Sequence, residues 1–166
     1  MRRPMSVTTS VVVAAPPEQL WPLVSDPAQT PRWSPENTGA VLPSAGTPDL
    51  GTSFVGANRR AGVRWQTACV VTAVEPQRRF AFQVRRWGLS SPWLRVAIAS
   101  WEYRLEPVAG GTRVSLTWTD DRRWPDPVAN VADRLLTRGS TFADFQLRNT
   151  RTSLQRLRAL VEGDAA

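Results

Sequence analysis

The sequence contains no histidine, no lysine and a single cysteine among its 166 residues. Without histidine, neither a Ser-His-Asp nor a Cys-His catalytic site can form within one chain, and zinc sites built on imidazole are excluded. Without lysine, Schiff-base and pyridoxal chemistry lack their nucleophile. The lone Cys69 cannot form an internal disulfide or a thiolate cluster, and it suits a reducing cytosol. We therefore expect no metal and no cofactor.

Long apolar runs and nucleotide-binding loops are missing as well. No apolar stretch approaches the roughly 18 residues that a membrane span needs. The basic start, Arg2-Arg3, has no apolar segment of a signal peptide behind it. No Gly-x-Gly-x-x-Gly or Walker-type loop occurs. These absences predict a cytoplasmic protein with no membrane span.

Negative charge is scarce relative to positive charge: 14 acidic against 21 basic residues give a net charge of +7, and every basic residue is arginine. Such an excess suits nucleic-acid binding. The arginines are scattered in pairs, however, and no recognised nucleic-acid motif accompanies them. An abundance of Arg, Ala, Val and Pro is typical of the codon bias of a GC-rich genome. We expect no specific nucleic-acid partner.

A hydrophobic content of 42% predicts one folded domain over residues 1–162, followed by a frayed tail over 163–166. A β-branched strand over 7–14 is followed by two short helices, which open at Pro16-Pro17 and Asp26-Pro27. The second of these ends near Trp33. Six further strands are predicted near 39–43, 51–59, 63–75, 79–87, 96–106 and 112–120. Short turns between them imply antiparallel order.

The C-terminal part is predicted to be helical. Asp126-Pro127 begins a helix with an apolar stripe at helical spacing. The members of that stripe are Val128, Val131, Ala132, Leu135 and Leu136. Gly139 interrupts the pattern, and a longer amphipathic helix runs from about Thr141 to Glu162. Its length of roughly 30 Å, at about 1.5 Å per residue, is enough to cross a sheet.

Several segments resemble bacterial polyketide cyclase/dehydrase and lipid-transport proteins (SRPBCC), which belong to the START and Bet v 1-like superfamily. These segments are 11–21, 24–27, 32–36, 101–107, 110–114 and 152–157. The resemblance covers nearly the whole chain. It implies an α+β helix-grip fold, in which a curved antiparallel sheet of about seven strands surrounds a long C-terminal helix, with two short helices after the first strand. It implies no catalytic residue, because one scaffold hosts carriers, cyclases, hydrolases and stress proteins.

Eight tryptophans are a large number for a chain of this size. Packing in the core accounts for many such residues, but bulky rigid rings on a concave sheet face also shape pockets. On the long helix, polar residues beside the apolar stripe either lie at a wet rim or face a cavity and orient a ligand. The candidate cavity-lining residues are Trp33 at the mouth, Trp65, Trp101, Tyr103, Trp118, Phe142, Gln146 and Asn149.

The acidic residues offer no carboxylate pair for catalysis. Strand alternation places Glu102 opposite Trp101 and Tyr103, which predicts exposure to solvent. Asp120 and Asp121 stand beside Arg122-Arg123, which predicts an ion-pair cluster at the surface. Cys69 lies between apolar neighbours and is expected to be a small buried hydrophobic residue. We therefore assign no catalytic residue from the sequence.

Three functions remain open. The first is binding or transport of a small hydrophobic ligand, lipid-like or aromatic, in an internal cavity. The second is an enzyme of the polyketide cyclase, aromatase or dehydratase type. The third is a protein-binding module that uses the Arg- and Trp-containing segment 85–95. The missing nucleophiles favour the first, and both a monomer and a homodimer fit the sequence.

Overall fold

The computed structural model describes residues 5–136 and 141–163, which form one antiparallel sheet, three α-helices and one 3-10 helix. The strands are β1 Ser6–Val13, β2 Asn37–Val41, β3 Ser53–Arg60, β4 Val63–Glu75, β5 Arg79–Gly88, β6 Leu94–Arg95, β7 Ala99–Val108 and β8 Gly111–Asp120. The helices are α1 Pro17–Val24, the 3-10 helix Pro27–Arg32, α2 Asp126–Leu136 and α3 Phe142–Glu162.

The strands follow the order β1-β8-β7-β5-β4-β3-β2, and the two-residue β6 pairs with β5 beside this path. Every pair is antiparallel. The order of elements is the α+β helix-grip arrangement that the sequence predicts. Gly139 and residues 164–166, on which a helix break and most of the frayed tail were predicted, lie outside the described residues.

Local sequence signals position the helix ends. Asp26 accepts a hydrogen bond from the backbone N–H of Ala28 (3.0 Å), so it caps the 3-10 helix. Thr141 caps α3 in the same way, because its hydroxyl accepts from the N–H of Asp144 (3.1 Å). Gly163 ends α3 in a left-handed conformation (φ 74°), which glycine adopts without steric cost. The start of α3 lies close to the end of β8, because the ring centroids of Phe142 and Trp118 are 5.7 Å apart.

The C-terminal half of α3 packs tightly on the sheet. Leu154 and Leu157 are buried in the largest apolar cluster, together with side chains of β1, α1, β7 and β8. The other buried members of that cluster are Val13, Ala15, Leu20, Val24, Trp33, Tyr103, Leu105, Val114 and Leu116. This half of the helix therefore lies over the apolar core of the sheet.

The prediction of a surface ion-pair cluster at Asp120 and Asp121 is wrong for Asp120. Arg122 donates to Asp120 Oδ2 from Nη2 (2.8 Å) and to Asp133 Oδ1 from Nη1 (2.7 Å), and all three side chains are buried. Alternation along β8 directs Asp120 inward, and α2 then places Asp133 opposite the same guanidinium. Asp121 points the other way and accepts from Gln83 Nε2 (3.1 Å). We call Asp120, Arg122 and Asp133 the buried triad.

Helix α2 turns three residues of its apolar stripe outward. It buries Ala129 and Asp133, whereas Val128, Val131 and Leu135 are exposed. A stripe at this spacing normally faces the core. Here the inward side of the helix is instead occupied by the carboxylate of the buried triad, so the larger apolar side chains face solvent.

Candidate functional site

The N-terminal half of α3 presents polar side chains to the interior. Gln146, Asn149 and Ser153 are between 4% and 9% exposed. A mainly apolar set of buried side chains from β3, β4 and β5 faces the interior opposite this strip. Its members are Phe54, Thr67, Cys69, Val71, Phe80 and Val84. The concave side therefore combines apolar walls with a polar strip on the helix.

Hydrogen bonds within the polar strip leave donors unused. Asn149 Nδ2 donates to Gln146 Oε1 (3.3 Å), and the hydroxyl of Ser153 donates to the Asn149 carbonyl (2.9 Å). Within the described residues, the amide nitrogen of Gln146 donates to no partner. This nitrogen is not among the fully buried side-chain atoms without a partner, so it is accessible to a water molecule or to an acceptor on a ligand.

A second unused donor belongs to Trp118 in β8. Its ring is almost fully buried, and its Nε1 has no hydrogen-bond partner in the described parts of the chain. Trp118 pairs across the sheet with Trp101, and its ring centroid lies 5.7 Å from that of Phe142. Phe142 lies one helical turn before Gln146. Four of the eight candidate residues are thus brought together at this end of α3.

Trp33 and Tyr103 lie elsewhere, in the apolar cluster under the C-terminal half of α3. Trp33 is 1% exposed rather than at a mouth, and its Nε1–H donates to the Tyr103 hydroxyl (3.1 Å). Burial raises the pKa of Tyr103 to about 12, although the hydrogen bond from Trp33 lowers it. Tyr103 therefore stays protonated at neutral pH.

An open cleft of about 600 Å³ lies between residues 35–38, the β3–β4 hairpin and the N-terminal half of α3. We call it the α3 cleft. Its lining includes Glu36, Arg60, Phe145, Arg148 and Asn149. Asn149 lines the α3 cleft and also belongs to the buried polar strip, so the two features meet at this residue.

Trp65, the last candidate residue, lies beside Arg60, which lines the α3 cleft. The Arg60 guanidinium stands 5.8 Å from the centroid of the Trp65 ring and 4.5 Å from that of Phe145. Such cation–π contacts hold the charged group over aromatic surface while it remains hydrated at its edge. Arg60 and Phe145 therefore form one side of the opening, and Trp65 lies next to Arg60.

Glu36 is a residue of this cleft that the sequence does not single out. Its carboxylate lies 3.4 Å from Arg60 Nη1 and accepts from Asn149 Nδ2 (3.4 Å). Burial raises the pKa of Glu36 more than the charge of Arg60 lowers it. In the sequence, Glu36 follows Trp33-Ser34-Pro35 and belongs to no amphipathic helix or alternating strand. No pattern of apolar and polar residues therefore indicates that it is partly buried.

The raised pKa of Glu36 predicts a pH-dependent gain in stability for Glu36→Gln. The folded state holds the Glu36 proton more tightly than the unfolded state does, so ionisation destabilises the fold as pH rises above the unfolded pKa of about 4.3. We expect Glu36→Gln to have a higher free energy of unfolding than the wild type at pH 7, and the difference to vanish well below pH 4. Urea unfolding at several pH values measures it.

Glu102→Gln is the matched control with the opposite sign. Burial works against ionisation of Glu102, but hydrogen bonds from Arg79 Nε (2.8 Å) and from Arg104 outweigh it and lower the pKa. This variant should be less stable than the wild type at pH 7 and should converge with it in acid. If both variants responded to pH with the same sign, the assignment of Glu36 would be wrong.

Cys69 offers no nucleophile to the site. It is buried in β4, and burial raises its pKa to about 12, although a hydrogen bond to Thr67 lowers it. The thiolate is therefore scarce at neutral pH. Within residues 5–136 and 141–163, no group of three or more Cys, Asp or Glu side chains is arranged to hold a metal ion.

The curved sheet, the C-terminal helix in its concave side and the cleft at one end define a helix-grip protein. The chain belongs to the family described as polyketide cyclase / dehydrase and lipid transport, which it matches over residues 4–162. This confirms the family that the sequence motifs indicate. No match to a curated protein sequence reaches significance. No helix in the described parts of the chain is long and apolar enough to cross a membrane.

Solved structures share the fold at low sequence identity. A START superfamily protein from Mycobacterium smegmatis superposes with a TM-score of 0.69 at 15% identity, over 96% of this chain and 99% of that one. Ara h 8.0201 gives a TM-score of 0.60 at 13% identity, over 95% and 97% of the two chains. DynU16, a putative protein in the dynemicin biosynthetic locus, gives 0.63 at 19% identity, over 98% of this chain and 49% of that one.

Proposed function

We propose that the protein binds a small hydrophobic ligand between the N-terminal half of α3 and the concave face of the sheet, and that the ligand enters through the α3 cleft. The observation that carries this proposal is the pair of unused donors, on Gln146 and Trp118, beside apolar and aromatic walls. Two donors of this kind favour a ligand with a hydrogen-bond acceptor, such as a carbonyl oxygen.

The proposed contacts divide into three groups. Trp101, Trp118 and Phe142 supply aromatic surface, and Gln146 and Asn149 supply polar contacts. Trp65 lines the entrance. Trp33 and Tyr103 pack in the core next to the proposed site and do not contact the ligand, because their polar atoms are hydrogen-bonded to each other. The family match over 4–162 supports treating 1–162 as one domain, and the single buried cysteine supports a cytoplasmic location.

A pair of probes of similar size tests the acceptor preference. Acetylnaphthalene carries a carbonyl oxygen, whereas ethylnaphthalene does not. We expect the ketone to bind about fivefold to tenfold more tightly, as one net hydrogen bond of about 1 kcal/mol would give. Quenching of tryptophan fluorescence measures both affinities, and native mass spectrometry of the purified protein tests for a molecule that it retains.

Matched variants connect this preference to the unused donors. Gln146→Leu and Trp118→Phe should each reduce the advantage of the ketone while the hydrocarbon still binds. Gln155→Leu, on the exposed side of α3, is the control and should leave both affinities unchanged. The proposal fails if neither probe binds, or if Gln155→Leu changes the preference as much as Gln146→Leu does.

Glu36 supports a second candidate function, an enzyme of the cyclase, aromatase or dehydratase type. Its carboxyl lies in the α3 cleft, its pKa is raised by burial, and Asn149 holds it in place. A carboxyl of this kind exchanges protons nearer to neutral pH than an ordinary one. Tyr103 and Cys69 are poor alternatives, because burial raises both of their pKa values to about 12. In an enzyme, Glu36→Gln abolishes turnover while binding remains.

A further inference from the structure

The exposed apolar stripe of α2 is a surface that ligand binding inside the fold does not explain. Val128, Val131 and Leu135 are 57%, 62% and 79% exposed. On the other side of the helix, Ala129 and Asp133 are buried. A helix that buries a carboxylate and exposes three large apolar side chains carries an apolar surface that its own fold does not cover.

More exposed apolar side chains lie at the same end of the sheet. Trp93 and Leu94, in the connection between β5 and β7, are 71% and 41% exposed, and Trp124, just before α2, is 40% exposed. The backbone N–H of Asp121 donates to the Ile98 carbonyl (3.0 Å), which ties this connection to the segment that leads into α2. We call these residues the apolar rim: Trp93, Leu94, Trp124, Val128, Val131 and Leu135.

The apolar rim and the α3 cleft share one end of the sheet. β7 begins opposite the end of β8 (Ala99 with Asp120), and β4 begins near the end of β5 (Gln66 with Gly88). The hairpin that precedes β4 and the first turns of α3 line the cleft. A partner with a flat surface that covered the apolar rim would therefore also lie against the opening of the α3 cleft.

Positive charge accompanies the apolar rim. Arg95, Arg123 and Arg134 are exposed and belong to the same segments as its apolar residues. Among the described residues, no acidic side chain forms an ion pair with any of these three arginines. The whole chain carries a net charge of +7. Two copies that met through this end would bring like charges together, which disfavours a dimer.

We propose that the apolar rim docks on a bilayer that contains anionic phospholipid, with α2 in the plane of the interface and the α3 cleft facing the lipid. Tryptophan, leucine and valine suit the boundary between headgroups and acyl chains, and flanking arginines bind the lipid phosphates. The proposal concerns the outer surface, so it does not depend on which ligand occupies the interior.

Sedimentation with lipid vesicles tests the docking surface. One set of vesicles contains phosphatidylcholine alone, and in the other phosphatidylglycerol replaces about a third of it. We expect the wild type to bind the anionic vesicles at least about tenfold more tightly than the neutral ones, since a few arginines each contribute about fivefold. Binding to the anionic vesicles should weaken as salt is added.

Variants distinguish docking through the apolar rim from the nonspecific electrostatic binding that any basic protein shows. Val131→Ser combined with Leu135→Ser should weaken binding to anionic vesicles by about tenfold or more, because two apolar side chains no longer enter the interface. Arg134→Glu should do the same by reversing a charge. The controls are Leu50→Ser and Arg78→Glu, which change exposed residues away from this end and should have much smaller effects.

Three outcomes would overturn the proposal. One is the absence of binding to either kind of vesicle by a wild type that is folded by circular dichroism. Another is an equal loss of binding in the α2 variants and in the controls. The third is a concentration-dependent dimer in light scattering that the α2 variants abolish, because the rim would then be an interface between two copies. Binding of the naphthalene probes should be unchanged in the α2 variants.

Discussion

Replacing Arg122 by alanine is expected to lower the free energy of unfolding by about 3–5 kcal/mol. The guanidinium is buried and donates to both Asp120 and Asp133 at 2.7–2.9 Å. Its removal leaves both carboxylates buried without their shared cation. It also removes the stacking of Arg122 on Trp124 and Phe142, whose ring centroids lie 5.3 Å and 5.2 Å away. Urea unfolding followed by circular dichroism measures the loss.

Arg113→Ala is the appropriate control for this effect. Arg113 also pairs with a carboxylate, that of Glu106 (3.2 Å), but both side chains are exposed. An exposed pair contributes about 0–1 kcal/mol, so this variant should be nearly as stable as the wild type. A loss below about 1 kcal/mol in Arg122→Ala would mean that the buried triad does not hold α2 on the sheet.

Replacing Trp33 by alanine is expected to cost about 3–5 kcal/mol as well, for a different reason. The ring is fully buried in the largest apolar cluster, and its removal opens a cavity that the neighbouring strands cannot close. It also leaves the Tyr103 hydroxyl without the donor that it accepts from. Thermal unfolding and urea unfolding should agree on the loss.

Two further variants separate the cavity from the hydrogen bond. Trp33→Phe retains part of the ring but removes the indole donor, so it should fall between the wild type and Trp33→Ala. Trp93→Ala, at an exposed position, should change the stability by no more than about 0.5 kcal/mol. Equal losses at Trp33 and Trp93 would contradict the placement of Trp33 in the core.

The strands and the long helix are well predicted from the sequence because turn signals bound them. The segment predicted at 63–75 is Val63–Glu75 in the structure, between the turns at Ala61-Gly62 and Pro76-Gln77. The strand predicted at 96–106 begins later, at Ala99. Val96 and Ile98 donate single hydrogen bonds to β5 carbonyls, but residues 96–98 do not form a regular strand.

The parts that were not predicted depend on contacts between distant segments. Alternation along β8 places Asp120 on the same face as Trp118, but the pairing of Arg122 with both Asp120 and Asp133 depends on the path of α2, which spacing along the chain does not specify. The depth of Trp33 depends on a partner 70 residues away, Tyr103. Glu36 is partly buried because α3 and the β3–β4 hairpin converge on it. Alternation and helical spacing indicate the face on which Trp101, Trp118 and Phe142 lie, but these residues come together because β7 pairs with β8 and the start of α3 packs on Trp118.

The burial of Cys69 and Tyr103 affects how the net charge of the protein depends on pH. Both pKa values are raised to about 12, and the sequence has no histidine or lysine. Apart from the terminal amine, few groups change protonation between neutrality and strongly alkaline conditions. Electrophoretic mobility should therefore be almost constant across that interval, and ionic strength rather than acidity should govern how strongly oppositely charged surfaces attract the protein.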